Sequence, residues 1–228
     1  MERVVIPTED GVEIVGAWLP VTAPRGVALL LHMMPATKES FLPLQKQLAD
    51  AQIASLAIDL RGHGESTKGR EGVRLGYQDF ADSGHQESAR DVAAAAAWVL
   101  KQTGLHHDHL VFCGASIGAN LALAYTAAHP DIPAVATLSP GLIYRGIAAT
   151  PAVTSLLRSQ NLLLIASEED AYSADSIEKL AERCLAKAKV IRLQDAGHGT
   201  AMWEKESGLI QTIVDWFVVA LFPSHPSP

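Results

Sequence analysis

Residues 109–128 read His109-Leu-Val-Phe-Cys-Gly114-Ala-Ser116-Ile-Gly118-Ala-Asn-Leu-Ala-Leu-Ala-Tyr-Thr-Ala-Ala128, and this stretch decides the fold. The first five residues form a short apolar run of strand character. From Ala119 onward the segment is rich in strong helix formers. A strand and a helix meeting at G-x-S-x-G is the setting that a nucleophile elbow requires. The chain must reverse sharply at Ser116, so its flanking residues have to be small enough for strand and helix to approach. Such a turn holds the serine hydroxyl clear of the backbone. The pentapeptide alone is weakly specific, because Gly, Ala and Ser are common, and the residues that follow have to supply a base and an acid.

They do. Asp170 follows the apolar run Asn161-Leu-Leu-Leu-Ile-Ala-Ser167, and His198 stands in Asp195-Ala-Gly-His-Gly199 after Val190–Leu193. A serine hydroxyl is a poor nucleophile at neutral pH until an imidazole takes its proton. A carboxylate on the other ring nitrogen sets the tautomer and stabilises the imidazolium. The chain order Ser, acid, His is that of the α/β-hydrolase fold, not of the chymotrypsin or subtilisin folds.

With these residues in place, the chain resembles the α/β-hydrolase superfamily over nearly its whole length. Leu29-Leu-Leu-His32 looks like the end of the family's third strand, where a His-Gly pair usually opens the oxyanion loop. Asp59-Leu-Arg-Gly-His-Gly-Glu-Ser66 is similar to the D-x-R-G-H-G-x-S segment after the fourth strand, and Arg90-Asp-Val92 to Trp98-Val-Leu100 resembles the helix before the nucleophile strand.

The resemblance implies roles for particular residues. Ser116 is the expected nucleophile, His198 the general base and Asp170 the acid, with Glu168 and Glu169 as neighbouring alternatives for the acid. A second family location for the acid, after the sixth strand, is closed here because Ser139–Gly146 contains no carboxylate. Asp195 reads as a turn residue. The oxyanion hole is expected to use the backbone N–H of Ile117 and a second N–H from Met34, or from Met33. Met33 stands where His-Gly members carry glycine; a methionine adopts positive φ only at a cost, so the loop is expected to follow another path. His32 and His63 are expected to brace loops, and Asp59 and Arg61 to have structural roles, with an ion pair between them as one option.

The strand signals are Arg3–Ile6, Val12–Leu19, Val27–Leu31, Ile53–Ile58, Leu110–Cys113, Ala134–Leu138, Leu162–Ala166 and Val190–Leu193. The first two join through Glu9-Asp-Gly11, a hairpin signal. The others alternate with helical stretches, which implies a mostly parallel eight-stranded sheet with helices on both faces and an antiparallel edge. Ligands then lie beyond the carboxyl ends of the strands, where Met34, Arg61, Ser116, Ser139, Asp170 and His198 all fall. Ser139–Gln160 leaves room for a loop and one short helix rather than a cap domain. An open, shallow site follows. The connection from Gly62 to about Gly84, with Lys68, Arg70 and Arg74, reads as a solvated surface loop.

The 228 residues suit one domain over 1–222, with Pro223–Pro228 as a flexible tail. A formal net charge of −7 argues against nucleic acid or an anionic membrane as partner. The first residues lack a basic region followed by a long apolar stretch, so no secretory signal is expected. No apolar run reaches transmembrane length, and Ala93–Ala97 reads as buried helix. Cys113 and Cys184, read in a strand and a helix, form no disulfide framework and point to a reducing cytoplasm. His106, His107, Asp108 and His109 precede the nucleophile strand at the far end of the sheet and lack zinc-motif spacing, so no metal is expected. Nor is any cofactor expected.

The function implied is a small lidless serine hydrolase, a carboxylesterase or thioesterase for small accessible esters. Acyl transfer on the same residues is one alternative. A non-catalytic binding protein of this fold is the other. Serine at the elbow speaks against the family's haloalkane dehalogenases and epoxide hydrolases, which use aspartate there. A dienelactone-hydrolase-like role stays open, although that group carries cysteine. The sequence leaves the oligomeric state open.

Overall fold

The computed structural model describes residues 1–223; the rest of the expected tail, 224–228, lies outside the described residues. Eight strands form one sheet: β1 (Glu2–Pro7), β2 (Glu13–Leu19), β3 (Gly26–Leu31), β4 (Ile53–Ile58), β5 (Leu110–Ala115), β6 (Ala134–Leu138), β7 (Asn161–Ser167) and β8 (Lys187–Leu193). Their order is β1-β2-β4-β3-β5-β6-β7-β8. β1 pairs antiparallel with β2, and β2 with β4; every other pairing is parallel. The hairpin is therefore the antiparallel edge that its turn signal implied. β8 begins three residues before the expected Val190, because Lys187–Lys189 are exposed and carry no apolar signal.

β3, β4 and β5 are buried at every position. A strand covered on both faces reads as a continuous apolar run rather than an alternating one. Side chains of β3 still divide by parity: Val27, Leu29 and Leu31 face one core layer, Ala28 and Leu30 the other. Helices α3 (Ser88–Thr103), α4 (Ile117–Ala128), α5 (Ala149–Ser155) and α6 (Ala171–Ala181) cover the first face, following α2 (Asp82–Gln86). Helices α1 (Leu42–Asp50) and α7 (Leu209–Leu221) cover the second, bringing Leu44, Leu48, Ile213 and Phe217.

The alanine run behaves differently from the expected buried helix. Ala95 and Ala96 are buried, whereas Ala93 and Ala97 on the opposite side of α3 are exposed. Small side chains hide helical periodicity, since alanine suits either face. Cys184 lies just beyond the end of α6 rather than within it. No separate cap interrupts the fold among the described residues. The stretch after β6 holds a ribbon pairing Ile143–Tyr144 with Ile147–Ala148, followed by α5.

The segment after β4 is built on buried charge. Asp59, fully buried, accepts Lys38 N–H at 2.8 Å, Lys38 Nζ at 2.8 Å and Glu65 N–H at 2.9 Å. Gly64, at φ +48°, lies against this carboxylate; a Cβ there would stand 2.3 Å from Asp59 Oδ2. Arg61 binds Asp91 with Nε (2.9 Å) and Nη2 (2.7 Å), and Asp10 with Nη1 (2.8 Å). The possible Asp59–Arg61 pair is therefore not formed. Each residue is matched instead by a charge from another element, Lys38 before α1 and Asp91 in α3. In the loop that follows, Lys68, Arg70 and Arg74 are exposed, as a solvated loop requires, and Lys68 bridges to Glu13 at the start of β2.

Candidate active site

The elbow is formed at the end of β5. Ser116 has φ 53° and ψ −118°, a strained backbone for a side-chain-bearing residue, and its N–H donates to Leu138 O at 2.8 Å. Both glycines of G-x-S-x-G are required by close approach. A Cβ on Gly114 would sit 2.2 Å from Gly118 O, and one on Gly118 would sit 2.2 Å from Leu31 O. The start of α4 thus rests directly on the backbone of β5 and β3. Ile117 opens this helix, so its N–H has no acceptor within the helix.

His198 arrives on the loop after β8, and its Nδ1 lies 2.6 Å from Asp170 Oδ2. Asp170 immediately precedes α6 and is the carboxylate brought to the imidazole. Glu168 instead lies near Arg192, at 3.8 Å. Glu169 braces the histidine loop: it accepts from Ser167 Oγ and from Gly197 N–H, while Ser167 Oγ accepts from Ala196 N–H at 2.9 Å. Asp195 adopts φ 51° in that same turn. Its part is therefore conformational.

Ser139, at φ 49° after β6, ties the halves together. Its hydroxyl accepts from Gly199 N–H at 3.0 Å. Burial acts to raise the Asp170 carboxyl. Hydrogen bonds from Ser173, His198 and Ser139 outweigh that effect and hold it below its ordinary range. The carboxyl is thus held in its charged form. Side-chain exposure is 17% for Asp170 and 39% for His198, so the imidazole is open to solvent on one side. Among the described residues, Ser116 Oγ has no hydrogen bond to His198. Such bonds commonly tighten only in the reacting complex.

The loop after β3 is locked by His32, which is fully buried. Leu60 N–H donates to its Nε2 at 3.0 Å, so Nδ1 carries the proton and donates to Met33 O at 2.9 Å. Burial lowers the imidazole's proton affinity and keeps the ring neutral. Met33 stays out of the left-handed region. Its thioether fills the space that a Cβ on Gly199 would need, and Met34 packs against the apolar layer of α3 and α4. Neither Met33 N–H nor Met34 N–H has an acceptor among the described residues. His63 stacks on Tyr77 with ring centroids 3.9 Å apart and donates from Nδ1 to Arg61 O at 3.1 Å. The histidines before β5 pack elsewhere: His107 stacks on His129 at 4.8 Å, and His109 pairs with Asp108 at 2.7 Å.

Sequence reasoning passed over several residues of this site. Ser173 and Tyr144 carry no motif, and the bracing parts of Ser139 and Glu169, placed by sequence only at the strand ends and among the candidate acids, depend on contacts with the histidine loop 28 to 60 residues away. Asn120 left a signal, being a buried polar residue in the otherwise apolar α4. It donates to Gly141 O (3.0 Å) and Ile147 O (2.8 Å).

The sequence pattern of the alpha/beta hydrolase fold family matches residues 27–153, more than half of the chain, and the chain belongs to that family. Protein phosphatase methylesterase 1 of Schizosaccharomyces pombe is 28% identical over 138 residues, covering 58% of this chain and 37% of that protein. The chain therefore spans well under half the length of this relative. A dienelactone hydrolase from Anabaena variabilis superposes with a TM-score of 0.75 at 18% identity, covering 96% of this chain and 97% of that one. Pyrococcus furiosus esterase Pf2001 superposes with a TM-score of 0.75 at 17% identity, covering 95% and 91%. At these identities the likeness is one of fold. None of the described helices is long and apolar enough to cross a membrane.

Proposed function

We propose that this protein is a serine hydrolase, a carboxylesterase or thioesterase acting on small accessible substrates through an acyl-enzyme. The observation carrying this reading is the His198 Nδ1–Asp170 Oδ2 contact of 2.6 Å, on the same sheet edge as the strained elbow serine. Ser116 Oγ attacks the carbonyl carbon while His198 Nε2 takes its proton. Asp170 holds the imidazole in the required tautomer and balances its charge. The N–H groups of Ile117 and of Met34 or Met33 stabilise the oxyanion; the loss of one such donor costs about 3 kcal/mol. His198 then protonates the leaving alcohol or thiol and activates the water that frees the acyl group. Protein groups and water suffice for each step. Free cysteines at 113 and 184 favour a reducing cytoplasm as its setting.

Labelling with a fluorophosphonate, followed by mass spectrometry of the adduct, tests this reading. An adduct on Ser116 that disappears in His198→Ala is the expected result. Absence of any adduct, under conditions that label a known esterase, would favour the non-catalytic alternative.

A further inference from the structure

The ribbon after β6 and the first turn of α6 form an apolar ledge that the steps above do not use. Ile143 is 54% and Tyr172 45% exposed, both large apolar side chains that face solvent. They are fastened to each other: Tyr172 Oη accepts from Ile143 N–H and donates to Ile143 O, both at 3.0 Å. The Tyr144 ring stands edge-on to Tyr172 with centroids 5.6 Å apart, and its hydroxyl lies 3.0 Å from Ser173 Oγ. Both rings converge on Gly141, where a Cβ would come 2.6 Å from Tyr172 and 2.7 Å from Tyr144. Asn120 fixes the ribbon through Gly141 O and Ile147 O. Both phenol hydroxyls are thus engaged with protein, and the ledge turns mainly hydrocarbon to solvent. Its side chains are held before a ligand arrives, so little rotamer freedom is lost on contact.

The ledge adjoins the triad on one side. Tyr144 Oη is 3.4 Å from Ser139 O, and Ser139 Oγ accepts from Gly199 N–H, beside His198, at 3.0 Å. Leu138, the residue before Ser139, accepts the N–H of Ser116 at 2.8 Å. Tyr172 follows two residues after Asp170, whose Oδ2 lies 2.6 Å from His198 Nδ1. In the sheet, β5 and its elbow stand between β3 and β6. The oxyanion loop comes from β3, whereas the ledge and the histidine come from the side of β6, β7 and β8. With the carbonyl oxygen drawn toward the β3 loop, the oxygen that leaves faces His198, which protonates it. The alcohol or thiol part of the substrate is thereby directed toward the ledge.

We infer that Ile143 and Tyr172 bind an apolar group on the leaving alcohol or thiol, so that the enzyme prefers esters of apolar alcohols. Hydrocarbon laid on the ledge gains in proportion to the apolar area withdrawn from water. All acetates pass through the same acetyl-Ser116, so within an acetate series the preference belongs to kcat/KM, which includes acylation.

This inference rests on the acyl-enzyme reading, and the test separates the two. Turnover of ethyl, butyl and hexyl acetate is followed by pH-stat; their alcohols differ in length but hardly in acidity. Ethyl butyrate and ethyl hexanoate lengthen the acyl side instead. Wild type is compared with Ile143→Thr, which keeps the β-branching suited to a ribbon, and with Tyr172→Ser. Val219→Ser removes a similarly exposed apolar side chain from α7, on the other face of the sheet. The added methylenes lie against one open face only, so wild-type kcat/KM is expected to rise roughly tenfold from ethyl to hexyl acetate. In Ile143→Thr and Tyr172→Ser the rise is expected to shrink to about threefold or less, while Val219→Ser keeps it. A wild-type rise of less than about twofold overturns the inference, as does a rise that persists in both ledge variants or shrinks equally in Val219→Ser. A loss confined to ethyl hexanoate gives the ledge to the acyl chain and overturns its assignment to the leaving group. A wild-type dimer that Ile143→Thr dissociates in sedimentation gives the ledge to a second copy of the chain, and overturns it likewise. A wild type that forms no acetyl-Ser116 with p-nitrophenyl acetate, read by intact mass, overturns the acyl-enzyme reading itself, a result distinct from turnover without length preference.

Discussion

Asp170 shows how a single carboxylate is made suitable for orienting a histidine. Three neighbouring groups favour its charged form, and their combined effect exceeds the cost of partial burial. Asp170→Asn preserves the size of the side chain but invites the wrong imidazole tautomer. Its kcat for ester hydrolysis is expected to fall by about 10⁴-fold, as the equivalent change does in a serine protease. Steady-state kinetics with a chromogenic ester measure this; a loss below tenfold would move the acid role away from Asp170. Glu168 and Glu169, its rivals in sequence, are drawn to Arg192 and to the Gly197 turn. Three adjacent acids differ in role because the chain after β7 turns each toward a different neighbour.

At the scale of elements, the elbow depends on α4 lying against β3 and β5 without intervening side chains. Gly118→Ala places a methyl 2.2 Å from Leu31 O and 2.7 Å from His32 O, two backbone atoms that cannot yield locally. The helix has to lift, and with it Ser116 and the Ile117 amide. Overpacking of this kind costs about 1–3 kcal/mol. A displacement near 1 Å at the reacting centre lowers turnover on the order of 100-fold. Urea unfolding and kcat measured on the same preparation should therefore both move. A variant of unchanged stability and turnover would mean that this contact is softer than described. The histidine loop is held comparably from beneath by Ser139, Ser167 and Glu169, so β6, β7 and β8 each contribute to placing His198.

At the scale of the whole molecule, buried charges link the parts of the sheet edge. The Lys38–Asp59 pair joins the loop before α1 to the end of β4, and Arg61–Asp91 joins that end to α3. Breaking such a pair takes from a buried charge its buried partner; Lys38 Nζ would keep only the exposed carboxylates of Glu39 and Glu65, each at 2.9 Å. Asp59→Ala is expected to destabilise the protein by about 3–5 kcal/mol, read from the denaturant midpoint at unchanged m-value. An effect within 1 kcal/mol would show that Glu39 and Glu65 suffice to balance Lys38. His63 adds a pH dependence. Desolvation lowers its pKa to about 4, whereas an unfolded imidazole titrates near 6.5. Between those values the unfolded chain binds the extra proton, so stability falls as pH drops from about 6.5 toward 4. The slope is at most about 1.4 kcal/mol per pH unit for this one proton. His63→Phe, which can still stack on Tyr77, should flatten the profile of unfolding free energy across that window. Equal slopes in the two proteins would exclude His63 as the source.

What the sequence by itself determined was everything set by local pattern: the strands, the elbow, the order of serine, acid and histidine, and the absence of room for a cap. Apolar runs and small residues at a forced turn write these features directly into adjacent positions. The fold followed because alternating strands and helices have few ways to pack. Only the tertiary structure decided which of three acids meets His198, that Lys38 and not Arg61 balances Asp59, and that Tyr144 reaches Ser173. Each of these is a contact between residues roughly twenty or more positions apart, or a choice among like neighbours. Local pattern carries no record of such contacts, because the partners are selected by the geometry of the assembled sheet edge.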